Sequence, residues 1–98
     1  MKYGLLARIQ AKPEFADQVE DLLRSAESLA RQEEPTITWY AFREDATTFG
    51  IFDTFDDEAG RTAHLEGQIA TALMQVADTM LADAPDIRSI DLLAAKSV

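Results

Sequence analysis

His64 is the only histidine in the chain, and there is no cysteine. Any imidazole chemistry, as a general base or as a metal or haem ligand, therefore falls to one side chain. With a reference pKa of ~6.5 a histidine is mostly neutral near pH 7, which suits it to take or donate a substrate proton. The plainer role is a helix residue whose ring nitrogen satisfies a nearby carbonyl. A local metal site is disfavoured, because the facing helical positions hold Gly60, Arg61, Gly67 and Gln68, with no carboxylate or second imidazole. Ser25, Ser28, Ser89 and Ser97 lack any Gly-x-Ser-x-Gly setting, so a serine nucleophile has no support. Glycines stand scattered at 4, 50, 60 and 67 and form no phosphate-cradling loop. Glu33-Glu34 and Asp56-Asp57-Glu58 fall at expected helix ends, where paired carboxylates are normally solvated.

A second set is aromatic: Trp39, Tyr40, Phe42, Phe49, Phe52 and Phe55, with Arg43 beside them. Core packing accounts for most such rings. Trp39 and Tyr40 also carry polar handles, and apolar walls with a few donors are what a flat aromatic ligand needs. Trp39, Tyr40, Arg43, Phe52 and Phe55 are the candidate ligand-binding residues. Which of them faces inward depends on strand parity, which the sequence leaves open.

The elements that must position these residues follow from periodicity. Residues 3–11 alternate as a strand, with Tyr3, Leu5, Ala7 and Ile9 on one face. Pro13 suits the first turn of a helix. Phe15, Val19, Leu22, Leu23, Ala26, Leu29 and Ala30 then recur at helical spacing over 14–33, with Pro35 beyond. β-branched and aromatic residues predict strands over 36–43 and 48–55, joined by an acidic turn. Asp56-Asp57-Glu58 offers an N-cap for a short helix to about Leu65. After a break at Gly67, a second amphipathic stripe begins at 68 and ends by Ala84-Pro85, and 87–95 forms the last strand.

The order β-α-β-β-α-β is that of an α+β, ferredoxin-like fold: a four-stranded antiparallel sheet with both helices on one face. The strands are apolar on both faces, and two helices cover only one. A second copy of the same face is the simplest cover, so a homodimer through the open sheet is expected. Size points the same way: a chain of 98 residues hides only roughly 60% of its unfolded surface.

Composition bounds the function. With 47% hydrophobic and 28% charged residues, residues 1–98 read as one ordinary globular domain. Eighteen acids against nine bases give a net charge of −9, which argues against nucleic-acid partners. The N-terminal apolar run is too short for a signal peptide, and nothing approaches a membrane span, so a cytoplasmic location is expected.

Several stretches together carry a family resemblance: Thr36-Ile37-Thr38-Trp39-Tyr40-Ala41-Phe42-Arg43, Phe49-Gly50-Ile51-Phe52-Asp53-Thr54-Phe55, Asp57-Glu58-Ala59-Gly60-Arg61, Ala63-His64-Leu65 and Asp91-Leu92-Leu93-Ala94-Ala95-Lys96. Over nearly its full length the chain resembles the antibiotic biosynthesis monooxygenase (ABM-domain) family of dimeric α+β barrels. One departure is Thr36 after Pro35, where the family usually has glycine. Members similar to quinol and anthrone monooxygenases oxidise electron-rich aromatics with molecular oxygen and no metal or flavin. For them the resemblance implies His64 as base or proton shuttle, Trp39 and Tyr40 orienting substrate, and Arg43 holding an anionic oxygen. A haem-degrading subgroup relies on an Asn, a Trp and a His. Here there is no asparagine, and the single tryptophan lies on the second strand. The resemblance therefore implies a cofactor-independent monooxygenase acting on a small quinol-like or polycyclic aromatic substrate. The alternative is a non-catalytic, small-ligand-binding or stress-related homodimer of the same fold.

Overall fold

Alternating apolar side chains build the sheet, and the computed structural model, which describes residues 2–96, shows how it is ordered. Strand β1 (Tyr3–Gln10) leads through a 3-10 turn at Pro13–Phe15 into helices α1 (Ala16–Ser25) and α2 (Glu27–Gln32). The hairpin β2 (Thr36–Arg43) and β3 (Thr48–Phe55) follows, then α3 (Glu58–Leu65), α4 (Gln68–Met80) and β4 (Asp86–Asp91). The strands are antiparallel in the order β2-β3-β1-β4, the ferredoxin-like arrangement. No helix among the described residues is long and apolar enough to cross a membrane.

One face of the sheet carries the core. Leu5, Ala7 and Ile9 of β1 and Phe49, Ile51 and Phe55 of β3 are buried there. Val19 and Leu23 of α1 and Ile69 and Leu73 of α4 close over it. The opposite face presents Leu6, Tyr40 and Phe42 to solvent, with Phe52 half-buried among them. Tyr40 and Phe52 stack at 6.5 Å between centroids and 9° between planes. Phe42 lies so close over Gly50 that any Cβ there would overlap its ring, so this glycine is required by approach, not by backbone angle.

Four departures from the sequence-based reading have local causes. The helix expected over 14–33 is interrupted at Ala26. The Ser25 hydroxyl donates to the Leu22 carbonyl at 2.8 Å and the Ser28 hydroxyl to the Ser25 carbonyl at 3.1 Å, and such back-bonding bends helices. The α4 stripe ends at Met80 and not near Pro85. Leu81 is captured by a bridge to Ala11, with Lys12 N–H donating to Met80 O at 2.8 Å and Ala82 N–H to Gln10 O at 2.8 Å. The last strand stops at Asp91, because its neighbour β1 ends opposite at Tyr3, and Leu93 is 97% exposed. Finally, a register shift between Thr36 and Thr38 turns Thr36 to the helix side along with Trp39, Ala41 and Arg43. Ile37, which strict alternation would place on the Trp39 face, is exposed.

Candidate functional site

Three elements meet at the imidazole of His64. The first is β3, where Asp53 shares the inward parity of Phe49, Ile51 and Phe55 and is only 1% exposed. The second is α3, which begins where the Asp57 carboxylate accepts the Gly60 N–H at 2.8 Å, the N-cap expected from Asp56-Asp57-Glu58. That cap sets the helix phase that points His64, 8% exposed, at the sheet. The third is the end of α2, from which Glu33 reaches back.

His64 Nε2 donates to Asp53 Oδ2 at 2.7 Å, and His64 Nδ1 donates to Glu33 Oε1 at 2.5 Å. The Thr36 hydroxyl donates to the same Glu33 oxygen at 2.9 Å. Glu33 Oε2 lies 3.0 Å from where a Cβ on Gly67 would stand, so residue 67 has little room for a side chain. Burial by itself opposes charge on His64. The hydrogen bond and charge of Asp53, and then those of Glu33, outweigh it and raise the pKa above 6.5. A protonated ring with a donor on each nitrogen matches two carboxylates, and the group carries one net negative charge. In this arrangement neither ring nitrogen offers a lone pair to a substrate. The ring of Phe55, itself completely buried, tilts against His64 at 5.4 Å.

A cleft of about 710 Å³ opens between α1–α2 and β2, walled by Trp39, Phe49, Leu23 and Ala30. Its rim is charged and balanced. Arg43 Nη1 donates to Glu20 at 2.8 Å and lies 3.7 Å from Asp17, its Nη2 donates to Ala46 O at 2.6 Å, and the guanidinium sits 4.9 Å over Phe49. Hydrogen bonds from Arg43 and Arg24 hold the Glu20 carboxyl below the usual carboxylate value. Arg31 pairs with Glu27 at 2.7 Å on the same rim.

The expected ligand-binding residues therefore divide. Trp39, Tyr40 and Arg43 line this cleft. Phe52 belongs to the outer sheet face and Phe55 to the core. His64 lines a second cavity of about 450 Å³ with Glu33, Pro35 and Gly60, and Thr36 is shared by both cavities. Asp53 and Glu33 were missed by the sequence reading, which placed Glu33 among solvated helix-end acids. Ser97 lies outside the described residues. Asp53 did carry a signal: an acid on the core parity of a β-rich hairpin needs a cation, and this chain has a single histidine to pair with it. Among the described residues no group of His, Asp and Glu converges on a point that a metal ion could occupy.

Comparison with known proteins places this architecture. The model of the antibiotic biosynthesis monooxygenase family matches residues 2–76. The chain belongs to that family. As a family member it is 48% identical to a protein of unknown function from Nitrosomonas europaea, with a TM-score of 0.95 and coverage of 99% of this chain and 94% of that one. PA3566 from Pseudomonas aeruginosa is 22% identical, with a TM-score of 0.80 and 95% of each chain covered. The Mycobacterium tuberculosis protein Rv0793 is 13% identical, with a TM-score of 0.85 over 99% of this chain and 100% of that one. These last two likenesses are of fold alone. No curated protein matches the chain.

Proposed function

We propose that this protein is a cofactor-independent monooxygenase for a small, flat, quinol-like or polycyclic aromatic substrate. The observation that carries the reading is the cleft at Trp39: a space of about 710 Å³ with aromatic and aliphatic walls, room for two or three fused rings. The ring enters between α1–α2 and β2 and packs on Trp39 and Phe49. The charged rim pairs its own arginines and glutamates, so the attraction inside is to an apolar plane with few polar groups. Once deprotonated, such a substrate is itself the reductant. For an anthrone, molecular oxygen is the oxidant: one oxygen atom becomes the new ring carbonyl, and the other leaves as water with the two hydrogens lost from carbon. The protein has to exclude water, hold the ring and manage one proton. His64 enters as a proton shuttle held between Asp53 and Glu33, not as a free base.

The outer sheet face supplies the second part of the reading. Leu6, Tyr40 and Phe42 are exposed together on one side of the sheet. A second copy of the same face buries them and gives a symmetric dimer.

Oxygen uptake tests the activity. Purified protein with anthrone or menadiol in air consumes oxygen well above the spontaneous rate, and the Trp39→Ala variant returns to that rate. A rate equal to the uncatalysed one with both substrates removes the oxygenase reading. The non-catalytic, ligand-binding reading then stands, favoured by the engagement of both His64 nitrogens.

A further inference from the structure

The two bonds that hold His64 lead to unequal places. Asp53 takes the Nε2 bond on Oδ2, while its Oδ1 is buried with no hydrogen-bond partner. Its side chain is 2% exposed, so water cannot replace a bond lost there. Glu33 takes the Nδ1 bond, is 20% exposed, and stands on the wall of the second cavity, a space of about 450 Å³. It belongs to the short connection between α2 and β2. Only its side chain needs to move, because the Thr36 N–H fixes the turn by donating to the Glu33 carbonyl at 3.1 Å. Gly67 completes the seat: a Cβ there would lie 3.0 Å from Glu33 Oε2 and 3.3 Å from the His64 carbonyl.

We infer that Glu33 is a latch on the second cavity, closed while His64 carries both ring protons and released when the ring gives up the one on Nδ1. The inference goes beyond the aromatic cleft and does not depend on what that cleft binds. A neutral imidazole has one N–H and one lone pair. Were Nε2 to lose its proton, Asp53 would be left buried without a donor, a costly state for a carboxylate. When Nδ1 loses it, the N–H electron pair stays on nitrogen and the proton passes to water through the cavity. Glu33 then meets a lone pair in place of a donor and can turn to water, as Asp53 cannot. The Nδ1 side yields and the Nε2 side holds.

The groups around the ring fit this order. β3 contributes Asp53 and the apolar ring of Phe55, the end of α2 contributes Glu33, and β2 contributes the Thr36 hydroxyl, 3.5 Å from Nδ1. Arg61, on the same helix as His64, is turned to the Gly4 and Ile90 carbonyls, and Glu34 and Gln68 line the cavity. Asp53 and Glu33 both favour the charged ring, so the latch is closed below about pH 6.5. Release changes what the ring can do. Latched, neither nitrogen accepts a hydrogen bond. Released, Nδ1 accepts one, and it faces the second cavity and not the Trp39 cleft, which His64 does not line. A group entering the vacated position must therefore be a donor.

Nuclear magnetic resonance of the intact protein tests the latch, because the single histidine gives one pair of ring nitrogen signals. As pH rises through the titration, Nδ1 should take the shift of a lone-pair nitrogen while Nε2 keeps its proton. A nuclear Overhauser contact between the Glu33 γ-protons and the Gly67 α-protons is expected below the midpoint and should fade above it. Glu33→Gln should lower the midpoint by about one pH unit or more, as loss of a neighbouring opposite charge does. Gly67→Ala crowds Oε2 out of its seat and should lower the midpoint too, with both carboxylates kept. Loss of the Nε2 proton in place of the Nδ1 proton overturns the inference. So does a Glu33–Gly67 contact that persists through the titration, or an unchanged midpoint in folded Glu33→Gln. A ring that keeps both protons until the protein unfolds overturns it as well. None of these results bears on the aromatic cleft, so failure of the latch is distinct from failure of the oxygenase reading.

Discussion

His64 on α3 and Asp53 on the central strand β3 are joined through Nε2 and Oδ2 at 2.7 Å, and this bond ties a helix to the middle of the sheet at a point closed to water. The contact converts a buried acid from a liability into a fixed acceptor. It also makes the histidine part of the protein's stability, which separates its effects on folding from those on turnover.

His64→Ala leaves Asp53 buried without a cation. Breaking a buried ion pair by removing one partner costs about 3–5 kcal/mol. For a domain of 98 residues each kcal/mol shifts Tm by about 4–8 °C, so a fall of at least ~12 °C is expected in thermal unfolding followed by circular dichroism. A fall of under ~3 °C would show that the charge pair contributes little.

The pH dependence has a definite sign. The folded-state pKa of His64 lies above its unfolded value, so its contribution is complete below about pH 6.5 and is lost as pH rises through the folded value. The stability gap between the native chain and His64→Gln should be widest near pH 6 and narrow steadily toward pH 9 in urea titrations. The single histidine C2–H resonance reports the same titration directly. A midpoint below 6.5 contradicts the double-carboxylate clamp.

The outer sheet face should set the assembly state. Light scattering at micromolar concentration is expected to give about twice 10.9 kDa for the native chain, and one times that mass for Phe52→Asp. A charge at position 39 would test the core and not this contact, because Trp39 faces the helices and packs on the core. A native monomer at that concentration rejects the dimer.

Gly50→Ala should act through Phe42. The added methyl displaces the Phe42 ring from the outer face, and that ring is the end of a side chain free to turn toward solvent. The dimer should weaken by ~10-fold or more in analytical ultracentrifugation, while the monomer fold stays intact by circular dichroism. In a Phe42→Ala background the same glycine change should have little further effect. An undiminished loss in that background places the strain in the strand itself.

Local order determined much of this protein. Period-two alternation and β-branched residues mark the hairpin 36–43 and 48–55 at its observed bounds, and Asp57 marks the start of α3 through its cap. The apolar character of both sheet faces is likewise visible in the residues, because it needs only strand periodicity. Periodicity says which residues share a face, but not which face turns to the helices, so Trp39 and Phe52 could be told apart only in the folded sheet. The irregularity at Thr36–Thr38 and the early end of β4 depend on what the neighbouring strand offers for pairing. Asp53, His64 and Glu33 come from three elements, and Glu33 and His64 stand 31 positions apart. No local rule connects them. Their pairing arises because closing the helices over the sheet strips water from Asp53, and a buried carboxylate must then find a cation, which the tertiary fold supplies from α3.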